Sequence, residues 1–95
     1  MLHVEERHYE IIKQILAPYK EYAVHAFGSR ARGDQKRFSD LDLCAMNPIP
    51  RMAVGDIKEA FENSNLPYKV DIIDWNRCTE EFRNLIKKDL VPLNL

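Results

Sequence analysis

Two stretches that otherwise spell β-strands carry carboxylates where a strand of a small core should be apolar. Asp42 lies between Leu41 and Leu43, Asp71 lies between Val70 and Ile72, and Asp40 precedes Asp42 by two positions. Side chains alternate along a strand, so Asp40 and Asp42 share one face while Leu41 and Leu43 take the other. Burying an isolated carboxylate is costly unless it is paired or binds a metal, and adjacent like charges raise one another's pKa. An exposed turn or strand position accounts for any one of these aspartates. Three together on neighbouring strand ends point instead to oxygen ligands for a hard divalent cation such as Mg²⁺.

The remaining chain supplies elements to carry those strands. Apolar residues at helical spacing predict a helix over Val4–Leu16, ended near Pro18. Tyr22–Phe27 reads as a first strand bounded by Gly28, Leu41–Met46 as a second, and Tyr68–Asp74 as a third. Met52–Asn63 suits a helix with a stripe of Val54, Ile57, Ala60 and Phe61. Thr79 is a plausible N-cap for a last helix running through Phe82, Leu85 and Ile86 towards Leu90. The expected fold is therefore α/β (α+β): a small mixed sheet of about three strands with helices packed on it. The first two strands are expected either as antiparallel neighbours joined by a long functional loop or as a short crossover. With 95 residues the chain has room for one domain, spanning 1–95.

Composition removes several function classes. Fourteen basic residues balance 15 acidic ones, which argues against a broad basic face gripping nucleic acid. The two cysteines, Cys44 and Cys78, are far apart with no CxxC, so neither a disulfide scaffold nor a cysteine zinc site is expected. Charged residues among the first ten do not fit a signal peptide, and no apolar run is long enough to cross a bilayer, so a cytoplasmic protein is expected.

Between the first two strands lies Gly28-Ser29-Arg30-Ala31-Arg32-Gly33. A glycine directly after a strand lets backbone approach a ligand closely. If Ser29 opens a helical turn, free N–H groups there would suit an anion, and Arg30 and Arg32 add forked donors suited to phosphate. The loop is no Walker A motif, since it lacks the Gly-Lys-Ser/Thr ending. Its spacing to the carboxylates is more specific: Gly28-Ser29, ten residues, then Asp40-Leu41-Asp42.

That G-S-x10-D-x-D pattern resembles the nucleotidyltransferase superfamily typified by DNA polymerase beta, and most closely its minimal nucleotidyltransferase (MNT) group. The segments GSRARGDQKRFSDLDL, KVDIID and EFRNLIKKDLVPL carry the likeness, which extends over Tyr22–Leu93. The resemblance implies that Asp40, Asp42 and Asp71 are catalytic and hold two Mg²⁺ ions. It implies too that Gly28, Ser29 and Arg30 clasp the triphosphate of ATP or another NTP. Asp71 would be general base or ligand to the metal on the nucleophile side. The activity implied is transfer of a nucleoside monophosphate, AMP by family habit, to a hydroxyl acceptor. MNT proteins commonly work beside a small helical HEPN-type partner, some as antitoxins that adenylylate it, so a hetero-oligomer is expected. The alternatives are a non-catalytic antitoxin that neutralises a helical partner by contact, and the catalytic subunit of a two-component small-molecule transferase.

Other residues carry plainer expectations. His8 and His25 are expected on helix and strand surfaces, Cys44 as a small buried hydrophobe, and Trp75 as a core plug after the third strand.

Overall fold

The computed structural model describes residues 2–95. Helix α1 (Glu6–Leu16) buries His8, Ile12 and Leu16, spaced i, i+4 and i+8 along one stripe. Pro18 admits no regular continuation, and the chain goes on as 3₁₀ turns over Ala17–Tyr22, turning out of them at Ala23 with φ 51°. Strand β1 (Val24–Phe27) follows, then a single helical turn, α2 (Ser29–Arg32). Strand β2 (Leu41–Ala45) leads through Pro48 and Pro50 into α3 (Arg51–Glu62), which buries Ile57 and Phe61. Strand β3 (Val70–Asp74) is followed by a 3₁₀ turn over Trp75–Arg77 and by α4 (Glu80–Ile86). Thr79 caps α4, its Oγ1 accepting the Phe82 amide at 3.2 Å.

The sheet runs in the order β3-β2-β1-β4, where β4 is the two-residue strand Val91–Pro92. β1 and β2 are antiparallel, with Phe27 opposite Asp42. β2 and β3 are parallel, with α3 as the crossover and Asp42 level with Asp71. The alternation forecast from the sequence holds: Leu41, Leu43 and Ile72 are buried in the core with Ile12, Leu16 and Ile57, while Asp42 and Asp71 turn to the other face. Each such aliphatic side chain contributes on the order of 1.5–3 kcal/mol by leaving water. Among the described residues no helix is long and apolar enough to cross a membrane.

Beside the three strands read from the sequence the sheet carries a short fourth, β4 (Val91–Pro92), pairing antiparallel with β1, in keeping with a sheet of about three; two residues containing a proline give no alternation to read. Two expectations need correction. His8 is buried, not on the surface, with its ring edge-on to Tyr68 at 5.5 Å between centroids. Trp75 is not a core plug. It sits half-buried in the 3₁₀ turn with the Arg83 guanidinium 5.3 Å from its ring centre. Both cysteines are free, and Cys44 is fully buried as expected. Burial pushes its thiol up to about 12, so it stays protonated and inert.

Candidate active site

An antiparallel pair brings the end of one strand to the start of the next, and that geometry assembles the site. β1 ends at Phe27 opposite Asp42, so Gly28 emerges against the Asp42 carboxylate. Gly28 has φ 78° and ψ −159°, a conformation essentially closed to residues with a side chain. A Cβ there would sit 2.6 Å from Asp42 Oδ2. Glycine is required twice over: by the backbone and by the carboxylate behind it.

Ser29 then opens α2, and the turn closes on Gly33, whose amide donates to the Ser29 carbonyl at 2.8 Å. On the other side of β2, the parallel register sets Asp71 beside Asp42 on strands about 4.8 Å apart. Asp40 lies just before β2 and is exposed. The three charges interact. Partial burial first, then Asp40 and Asp71, hold the Asp42 carboxyl above its ordinary value, while Arg32 acts against the rise.

The structure does not bring Arg30 to this cluster. Its guanidinium is buried, 5% exposed, and donates to the carbonyls of Ser39 at 2.9 Å, Arg37 at 3.1 Å and His3 at 3.3 Å. It also lies 3.8 Å from the centre of the Tyr68 ring. Three backbone acceptors and an aromatic face occupy the fork that the sequence assigned to phosphate. The cation of this loop that acts on Asp42 is Arg32, half-exposed and bridged to Asp89 at 2.9 Å and Asp34 at 3.3 Å.

Lys58 has no counterpart in the sequence reading. It reaches from α3 to place its Nζ 3.2 Å from Asp71 Oδ1. Nothing in its local sequence separates it from other helix lysines; only the β2-α3-β3 crossover brings it there. Beside Gly28 a cavity of about 440 Å³ is lined by Phe27, Arg32, Phe82, Leu85 and Lys88. This apolar and basic ledge was equally invisible, because α4 meets β1 only through the fold.

The donor set suits a divalent cation in chemistry: three hard carboxylate oxygens, one with a raised pKa, beside a glycine that leaves their approach open. Among the described residues no three His, Cys, Asp or Glu side chains are clustered as a metal cage, and Lys58 supplies the counter-charge at Asp71.

Residues 10–93 match the family described as polymerase beta, nucleotidyltransferase. The chain belongs to that family. A Haemophilus influenzae protein named "Probable protein adenylyltransferase MntA" is 41% identical, covering 97% of this chain and 83% of that relative. This nucleotidyltransferase is thus of the minimal type, as its motifs implied. The solved structure of a toxin-antitoxin with AMP-PNP superposes with a TM-score of 0.69 at 21% identity, over 90% of this chain and 72% of that one. The likeness shows that the two share the nucleotidyltransferase fold.

Proposed function

We propose that this nucleotidyltransferase moves AMP from ATP to a hydroxyl on a small helical partner protein of the HEPN type. The observation that carries the reading is Asp42 between Gly28 and Asp71, fixed by opposite strand registers on its two sides. The 41% identical relative named as a protein adenylyltransferase supports AMP and a protein acceptor. The toxin-antitoxin of the same fold agrees with a paired system.

In this reading the Gly28–Ser29 backbone receives the triphosphate, and Arg32 stands where Arg30 does not. Two Mg²⁺ ions held by Asp40, Asp42 and Asp71 would activate the acceptor oxygen and neutralise the departing pyrophosphate. The acceptor oxygen bonds to the α-phosphorus as the α–β bridging bond breaks, pyrophosphate leaves, and the acceptor proton passes to Asp71 or to water. Lys58, which pairs with Asp71 here, would hold that carboxylate in place and yield it to a bound metal. Most of the catalytic gain is positioning and fixed electrostatics.

The test is label transfer from α-phosphate-labelled ATP to the helical partner, with Mg²⁺, by wild type and Asp42→Asn. Labelled partner with wild type and none with the variant is expected. If both proteins neutralise the partner equally without label, contact and not chemistry is the mechanism. If the variant still transfers, the carboxylates are misassigned.

A further inference from the structure

Another cavity of about 440 Å³ lies between the N-terminal segment, the loop after α2, and Tyr68, and none of Gly28, Asp40, Asp42 or Asp71 lines it. Arg30, Lys36 and Arg37 face it against one carboxylate, Glu5, which is already paired to Arg7 at 2.8 Å. Two polar atoms are sealed in its wall with no hydrogen-bond partner among the described residues: the Tyr68 phenol oxygen and the Gln35 amide oxygen. Tyr68 is only 8% exposed. The Arg30 guanidinium covers one face of its ring and the His8 ring meets it edge-on, which fixes the ring in place. Burial pushes the phenol pKa up, Arg30 opposing, and the group remains a donor at neutral pH.

A buried hydroxyl without a partner is costly, and native proteins almost always satisfy one. A molecule that accepts from Tyr68, donates to Gln35 and complements the cationic rim would satisfy both atoms at once. A carboxylate offers acceptors alone. Phosphate offers acceptor oxygens and negative charge, with a hydroxyl on the phosphorus or on an attached sugar as donor.

We propose that this cavity binds a small phosphate-bearing molecule, with Lys36 and Arg37 at its rim and Tyr68 and Gln35 at its base. The site is separate from the transfer site, yet joined to it through Arg30. That guanidinium follows Ser29 in the chain and holds the carbonyl of Ser39, the neighbour of Asp40. An occupant would therefore brace both ends of the segment that carries the transfer chemistry.

The probe is inorganic phosphate, titrated by calorimetry into the full chain in EDTA, where the three aspartates repel it from the transfer site. One saturable site is expected. Tyr68→Phe keeps the ring and should weaken binding about fivefold or more, the worth of one hydrogen bond, with a melting temperature unchanged or raised. Arg37→Ala, at an exposed position, should weaken it too, and Asp42→Asn should leave it unchanged. No saturable binding overturns the proposal, as does binding that resists Tyr68→Phe. Weakening by Arg37→Ala alone would mean a surface ion contact and no built site. Tighter binding with Asp42→Asn would place the phosphate at the transfer site and overturn the proposal, whereas failure of label transfer leaves the second cavity untouched.

Discussion

At the scale of single residues, Gly28 and Asp42 form one device. Gly28→Ala demands both a forbidden backbone angle and a 2.6 Å contact with Asp42 Oδ2. It should destabilise the chain by ~1–3 kcal/mol and abolish Mg²⁺-dependent ATP binding; denaturant melts and a nucleotide titration read the two effects. Asp42 carries the reverse cost. Folding raises its pKa, so its contribution to stability is complete below its ordinary value of 3.8 and is lost as pH rises through the folded value. Asp42→Asn, free of that loss, should melt a few degrees higher than wild type at pH 7 in EDTA, by roughly 2–5 °C after allowing for solvent screening. The gap should close near pH 3.5, and a gap that persists there would mean the gain is not electrostatic. The sequence disclosed this pair because chemistry violated pattern: an aspartate in a strand and a glycine after one are visible locally. Lys58 and Arg30 were not legible in the same way. Whether a cation turns to a carboxylate or to three carbonyls depends on a crossover and a loop path that no local pattern records.

Among the elements, the segment from Ser29 to Asp40 is held less by its own turn than by Arg30. Arg30→Lys cannot reach three carbonyls with a planar fork, so it should cost on the order of 2–4 kcal/mol and speed amide exchange across residues 34–40. Lost nucleotide binding with full stability would instead show that Arg30 serves phosphate directly. Long elements were easy to read: α1 and α3 show clear stripes, β1 and β3 are rich in β-formers, and β2 alternates, set between the Gly-rich loop and Asn-Pro. β4 escaped because Val91 and Pro92 are strand only by virtue of β1 beside them. His8 misled for a related reason. Its position belongs to the helix stripe, and imidazole chemistry suggested water where Tyr68 provides a ring.

For the whole molecule, binding at the carboxylate end is coupled to global stability. Mg²⁺ with ATP at one hundred times its Kd should add ~2.7 kcal/mol, a rise in melting temperature on the order of 10 °C or more for a domain of this size. Asp71→Asn should remove most of that shift, and a full shift in the variant would exclude Asp71 from the site. The sheet order adds a condition to that experiment. β3 is an outer strand, so the run Lys69-Val70-Asp71-Ile72-Ile73-Asp74 has, among the described residues, no neighbouring strand on one side. Such a margin, rich in β-branched residues, is a template for another chain, and charge is what ordinarily keeps strangers from pairing with it. Removing the charge of Asp71 leaves Lys69 and Asp74 as the charges on this margin, so the Asp71→Asn melt should be paired with a light-scattering check that the variant stays monodisperse.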